Sequence, residues 1–128
     1  MIALDASVVI AHLSSRDSHH AAAGRFFRTQ LDAEFVMHPL TLTEVLVGPV
    51  RAGAGSAAEH HLAELGIVEW APRPGAARLA RIRVETALKL PDCCVLDAAL
   101  ENGAALATFD ERLAKAAETF GIDVLDLA

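Results

Sequence analysis

The sequence predicts an α/β protein, a three-layer α/β/α sandwich in which helices cover both faces of a parallel sheet. Short apolar segments alternate with helical patterns along the whole chain, as in folds built around a parallel sheet. Three times, moreover, a helical segment stops at a glycine and an apolar strand follows, at Gly66, Gly103 and Gly121. Glycine adopts the left-handed conformation after a helix without a side-chain clash, so the chain can reverse into the next strand.

The predicted sheet has five strands, and helices occupy most of the remaining chain. The strands are expected at about 2–5, 34–38, 67–70, 104–108 and 123–126. Two helix starts match the capping box, in which a hydroxyl and a carboxylate three residues later bond to free amides of the first turn. They are Thr41 with Glu44, and Ser56 with Glu59.

The segment 73–90 is predicted to be a surface helix. Ala80, Val84 and Ala87 share one face, which we expect to pack inward. The charged residues lie along another face, which we expect to meet solvent; they are Arg78, Arg81, Glu85 and Lys89.

Length and composition indicate a single domain, 1–128, without targeting segments. Eleven basic against seventeen acidic side chains give a net charge of −6, so the electropositive footprint of many nucleic-acid-binding proteins is absent. Cys93 and Cys94 are adjacent, which disfavours a structural disulfide and indicates small core residues in a reduced, cytoplasmic protein. Every apolar run is interrupted well short of the roughly 18 residues of a membrane span, so neither secretion nor membrane insertion is predicted.

Four acidic side chains are predicted to meet at one end of the sheet. In an open parallel sheet, ligands bind outside the carboxyl ends of the strands. Asp5 ends the first strand, Asp110 follows the fourth, Glu44 lies early in the helix after the second, and Asp92 opens the helix after Pro91. Carboxylates packed together raise each other's pKa unless a cation binds between them. We therefore expect a site for Mg²⁺ or Mn²⁺.

Each of the four acids also has a structural explanation to be weighed. Asp110 suits the N-cap of the helix that follows it, and Glu44 could complete the capping box of Thr41. Asp92 sits in a first helical turn, where the helix dipole favours an acid. Asp5 is different, because an acid that ends an apolar strand has no obvious packing role.

Four short segments carry these acids. They are 4–10 (LDASVVI), 42–48 (LTEVLVG), 90–96 (LPDCCVL) and 107–113 (ATFDERL). In order and spacing, and over practically the whole chain, they resemble the PIN domains, in particular the bacterial toxins of the VapC type. The resemblance implies the strand order 3-2-1-4-5. It also implies catalytic, metal-binding acids at Asp5, Glu44, Asp92 and Asp110, with Ser7 and Thr108 as hydroxyl partners of a neighbouring carboxylate or of a metal-bound water.

The resemblance further implies an activity and partners. The activity is that of a Mg²⁺- or Mn²⁺-dependent endoribonuclease, the toxin of a type II toxin–antitoxin pair. Water would attack in line with the leaving 3′ oxygen and leave a 5′-phosphate, without help from the ribose 2′-hydroxyl. The implied partners are RNA, a cognate antitoxin that often inserts a basic side chain among the acids, and a second copy of the toxin in a homodimer. The family varies at its fourth acid, here Asp110.

Other polar residues are interpreted as solvent-exposed. Asp97 departs from the family pattern and, about 140° around the helix from Asp92, is expected to be an exposed acid rather than an auxiliary ligand. The pairs His19-His20 and His60-His61 are predicted to lie on the surface, since chelation on one helix needs a spacing of three or four. A solvated face is also favoured over phosphate binding for Arg73, Arg78, Arg81, Arg83, Arg112 and Lys115.

Two other classes of protein fit parts of this pattern. A phosphoacceptor signalling domain would share the sandwich and an acidic pocket, but it needs an acceptor Asp after strand three and a Lys after strand five. Here strand three ends at Trp70 and no Lys follows strand five. A catalytically silent PIN-like interaction module would keep the fold without the chemistry, and titration with Mn²⁺ would distinguish it from an enzyme.

Overall fold

Each strand of the chain is followed by one or two helices. The computed structural model describes all residues, 1–128. The strands are β1 (Ile2–Leu4), β2 (Phe35–Met37), β3 (Ile67–Glu69) and β4 (Ala105–Ala107). The helices are α1 (Ala6–Leu13), α2 (His20–Thr29), α3 (Pro39–Arg51), α4 (Gly55–Glu64), α5 (Ala76–Thr86), α6 (Leu90–Glu101) and α7 (Glu111–Thr119). None of these helices has both the length and the apolar character that a membrane crossing requires.

The four strands form one parallel sheet in the order β3-β2-β1-β4. Each lies within one residue of its predicted position at either end. The glycines expected to end helices adopt the left-handed conformation, with φ of 80° at Gly66, 58° at Gly103 and 76° at Gly121. The sequence pattern therefore located these elements correctly.

The predicted fifth strand at 123–126 is wrong as a strand, because only one bridge forms there. Val124 pairs in parallel with Leu106 at the free edge of β4. The Leu106 amide donates to Asp123 O at 2.8 Å, and the Leu125 amide donates to Leu106 O at 2.9 Å. The C-terminal segment thus lies beside β4, where the order 3-2-1-4-5 places a fifth strand, but the sheet has four.

The pairing is limited because a neighbouring backbone amide on this edge of the sheet already has another hydrogen-bond partner. The Ala104 amide donates to Ala99 O of α6 at 2.9 Å. At the other end, β4 stops at Ala107 and the chain turns towards α7. The groups of Leu106 are therefore the ones on this edge that pair with the C-terminal segment, and they form a single bridge.

Side chains alternate along the strands between two apolar cores, which gives the three layers predicted. One core joins one face of the sheet to α1, α2, α3 and α4; its strand residues are Ile2, Leu4, Phe35, Met37 and Ala107. The other joins the opposite face to α5, α6 and α7; its strand residues are Ala3, Val36 and Leu106. Both cysteines are unpaired and buried in α6, as predicted, and burial raises the pKa of Cys94 to about 11.

The two capping boxes are wrong. Helix α3 begins earlier, at Pro39, and its N-cap is His38, whose ring Nδ1 accepts a hydrogen bond from the Leu40 amide at 3.0 Å. Proline is favoured in the first helical turn, where it has no amide to satisfy, so it displaces the start predicted at Thr41. Helix α4 likewise begins at Gly55, before the predicted cap at Ser56.

The inward face of α5 also differs from the prediction. Ile82 is buried while Val84 is 83% exposed. Arg78 points inward and donates from Nε and Nη2 to the two carboxylate oxygens of Asp97, both at 3.1 Å. Asp97 is 2% exposed, so the expectation of an exposed acid is wrong. A planar guanidinium fits a carboxylate through two parallel hydrogen bonds, and this pair joins α5 to α6.

Replacement of Arg78 by methionine is expected to lower the free energy of unfolding, because the Asp97 carboxylate is left buried without its partner. Arg81→Met is the matched control, since Arg81 lies on the same helix and is exposed. Urea denaturation measures both. Adding Asp97→Leu to Arg78→Met should restore part of the loss, because an apolar pair often replaces a buried ion pair without cost. Equal stability of the two single variants would contradict this role for the pair.

Candidate active site

Asp5 occupies the single position between β1 and α1. It is 7% exposed, and its side chain does not cap α1. Its Oδ2 instead accepts hydrogen bonds from Ser7 Oγ at 2.6 Å and from Thr108 Oγ1 at 2.8 Å. No donor of the chain bonds to Oδ1. One oxygen of this carboxylate is therefore held in place while the other stays available to a ligand.

The two hydroxyls that hold Asp5 are themselves positioned by the turn between β4 and α7. Ser7 Oγ accepts from the Phe109 amide at 3.1 Å, and Thr108 Oγ1 accepts from the Asp110 amide at 3.0 Å. Each hydroxyl thus donates to Asp5 and accepts from the backbone. Both lie against the carboxylate, as expected from the sequence, and they join residues about a hundred positions apart in the chain.

Glu44 and Asp92 approach Asp5 from α3 and α6. Partial burial raises the pKa of Glu44, and the charges of Asp5 and Asp92 raise it further. Burial likewise raises the pKa of Asp92, Asp5 and Asp110 raise it further, and Lys89 and Arg112 lower it. The predicted acids therefore act on one another across one electrostatic cluster.

The structural explanations hold for some of these acids and fail for others. Asp110 is indeed the N-cap of α7, since its Oδ1 accepts from the amides of Arg112 at 2.9 Å and Leu113 at 3.1 Å. Its charge nevertheless raises the pKa of Asp92, so it belongs to the cluster as well. Glu44 is not part of a capping box, because His38 caps α3. Asp92 lies in the first turn of α6, as expected.

The donor chemistry of this cluster fits a hard divalent cation. No group of three or more Asp, Glu, His or Cys side chains is arranged as a ready-made ligand set. The cluster does supply carboxylate oxygens alone, a free Oδ1 on Asp5, and mutual repulsion that a cation would relieve. Mg²⁺ keeps several waters and takes about one or two carboxylates from a protein, so it needs no closed cage.

Two cations beside the cluster were not expected to take part. Lys89 precedes α6, and Arg112 lies in the first turn of α7. Both act on Asp92 by lowering its pKa. One sequence signal could have indicated that these cations lie near the cluster, because each stands within three residues of a predicted acid. The same spacing occurs on many helices that face solvent.

Fold and site together define an α/β protein with a cluster of interacting carboxylates at the carboxyl ends of a parallel sheet. The chain belongs to the PIN domain family, whose profile matches residues 2–119. This match confirms the family resemblance predicted from the sequence. No match was found among curated proteins.

Several solved structures share this fold over nearly the whole chain. FitAcB from Neisseria gonorrhoeae has a TM-score of 0.74 and 18% identity, over 99% of this chain and 98% of that chain. DNA-bound VapBC from Salmonella typhimurium has a TM-score of 0.72 and 18% identity, over 99% and 98%. A toxin–antitoxin complex from Klebsiella pneumoniae has a TM-score of 0.71 and 23% identity, over 86% and 87%. At these identities the similarity establishes a common fold.

Neutralising one of the crowded acids is expected to stabilise the protein in the absence of metal. The raised pKa of Asp92 means that its charge opposes folding at neutral pH, and that this penalty disappears as the pH falls below the unfolded-state pKa. Asp92→Asn should therefore melt at a higher temperature than the wild type at pH 7 in EDTA, and the difference should shrink towards pH 4.

Mn²⁺ in the same melting experiment tests the cation site. It should raise the melting temperature of the wild type more than that of Asp92→Asn, because ligand that binds the native state stabilises it. Asp32→Asn, which removes an exposed acid outside the cluster, is the control for net charge. Identical responses of all three proteins to Mn²⁺ would argue against a metal site at Asp92.

Proposed function

We propose that this chain is a metal-dependent endoribonuclease and the toxin of a type II toxin–antitoxin pair. The observation that carries the proposal is the environment of Asp5. A nearly buried carboxylate keeps one oxygen free, and its charge raises the pKa of Glu44 and of Asp92; Asp110 in turn raises the pKa of Asp92. Carboxylates whose mutual repulsion opposes folding are typical of a binding site for a cation.

The comparisons support the biological setting of this proposal. Membership of the PIN domain family supports nuclease chemistry. The solved structures with the same fold include VapBC and a further toxin–antitoxin complex. We infer the corresponding role here, with a cognate antitoxin and a second copy of the toxin as partners. The two free thiols in α6 fit a reducing, cytoplasmic compartment.

The residues of the chain would have different roles in this reaction. Asp5, Asp92, Glu44 and Asp110 would hold one or two Mg²⁺ or Mn²⁺ ions. Ser7 and Thr108 keep Asp5 Oδ1 directed outward by fixing Oδ2.

A divalent ion, when bound, would stabilise the negative charge that develops on the phosphate. The chain adds two positive charges beside Asp92, those of Lys89 and Arg112. These charges would attract the phosphodiester of the RNA. No side-chain nucleophile is needed, and the product would carry a 5′-phosphate. A protein with a net charge of −6 can in this way attract RNA locally.

Asp5→Asn is expected to lower RNA cleavage by at least about 100-fold, a loss typical of removing one charge-stabilising group from an active site. Folding should change little, because the amide oxygen of Asn can still accept from Ser7 and Thr108. Cleavage of a labelled RNA is measured with Mn²⁺ and with EDTA, beside the melting temperature. Asp32→Asn should cleave at the wild-type rate. Full activity of Asp5→Asn would refute the assignment.

The toxin role is tested by expression in bacteria, alone and together with the product of the gene immediately upstream. Expression alone should arrest growth and produce RNA fragments with 5′-phosphate ends, while co-expression should restore growth. Asp5→Asn should be harmless in both settings. A catalytically silent interaction module would instead leave RNA intact and give no melting response to Mn²⁺.

A further inference from the structure

One aromatic stack includes a ring from the turn that carries Thr108 and Asp110. The chain has only five Phe and one Trp and no Tyr, and three of the Phe rings lie in the core. Phe109 is only partly buried, and it separates Thr108 from Asp110. The ring of His19 lies flat on it, with centroids 4.2 Å apart and planes inclined by 8°. His19 is itself exposed.

The backbone at both residues of the stack is held by hydrogen bonds. The Phe109 amide donates to Ser7 Oγ, which in turn donates to Asp5, so the Phe ring is tied to the cluster through its own backbone. His19 ends the loop between α1 and α2. Its amide donates to Asp17 Oδ1 at 2.8 Å, and its carbonyl accepts from the Ala23 amide at 2.9 Å. The fixed backbone and the stacking of the two rings on each other limit the freedom of the platform, which reduces the entropy lost on binding.

We propose that the His19–Phe109 stack is a platform for an unpaired nucleobase of the RNA, next to the phosphate held by the acids. This inference rests on the proposed ribonuclease function and adds to it one contact with a base, made by residues that are not among the four acids. The base stacks on the solvent-facing side of His19, with Phe109 supporting the ring from beneath. A base inside a duplex is already stacked on both sides and has no free face to offer.

Because the protein carries a net negative charge, stacking of a base is expected to contribute more to RNA binding than contacts with phosphates. At a net charge of −6, the protein as a whole repels a polyanion at long range, and salt screens this repulsion. Stacking on an aromatic ring contributes about 1–3 kcal/mol per base and depends little on salt. One well-placed base would therefore hold the strand in register while the cluster acts on its phosphate.

Binding is measured in EDTA, where no cleavage occurs, with a fluorescent single-stranded RNA octamer and a set of octamers that each lack one base. The proteins are the wild type, His19→Ala, His19→Phe and, as matched control, His60→Ala, which removes an imidazole that is 77% exposed on α4. The melting temperature of each variant checks its fold. Cleavage by the same proteins in Mn²⁺ gives KM and kcat separately.

In the wild type, loss of the base at one position should weaken binding by about 5- to 100-fold, the range that one stacked base supplies. His19→Ala should bind the intact octamer correspondingly more weakly and lose the sensitivity to that position, with KM raised and kcat at saturation unchanged. His19→Phe should retain the affinity, because it retains a stacking face. His60→Ala should behave as the wild type.

The outcomes separate the two proposals. A position-specific loss that disappears in His19→Ala, without cleavage by the wild type, would support the platform and overturn the nuclease. Cleavage with the same Kd and KM in His19→Ala as in the wild type would overturn the platform and leave the stack as a packing contact between α2 and the β4–α7 turn. Equal binding of duplex and single-stranded RNA, or no binding of either, would also overturn it.

Discussion

The two hydrogen bonds that Asp5 Oδ2 accepts from Ser7 and Thr108 are the contacts on which the rest of the site depends. They join the carboxyl ends of the neighbouring strands β1 and β4, and each hydroxyl also receives a backbone amide from the turn that follows β4. The same turn carries Asp110 and the ring of Phe109. These hydrogen bonds therefore couple the pairing of β1 with β4, the orientation of Asp5 and the position of the aromatic stack. Displacement of one of them would displace the others.

Two nearly buried carboxylates show two ways of compensating charge. Asp97 is matched within the chain, because Arg78 donates to both of its oxygens. Asp5 is matched only by two neutral hydroxyls and interacts with the charges of Glu44 and Asp92, so its compensation is incomplete. The first arrangement is a closed structural unit that fixes α5 to α6. The second arrangement would be stabilised by a cation from solution. The acidic cluster is therefore the candidate active site, and the ion pair is not.

Part of the candidate site could be predicted because parallel strands all end at the same edge of a sheet. Asp5 and Asp110 follow β1 and β4, and Glu44 lies in the helix after β2. Asp92 lies beyond α5, in the second helix after β3, so its place beside the other acids rested on Pro91 as a helix start and on the family resemblance. The cations at Lys89 and Arg112 and the stack of His19 on Phe109 were not predictable in this way. They depend on the side-chain directions of elements remote in sequence, for which local periodicity carries no information.

The sequence by itself determined the order of strands and helices, the glycines that end helices, and the alternation of apolar residues between two cores. These features are local, since they follow from backbone preference and from periods of two or about 3.6 residues. Only the tertiary structure decided that the last segment forms one bridge instead of a strand and that α5 turns Arg78 inward. In both cases the outcome depends on a partner remote in sequence: the backbone groups of Leu106 on β4, or the buried carboxylate of Asp97 on α6.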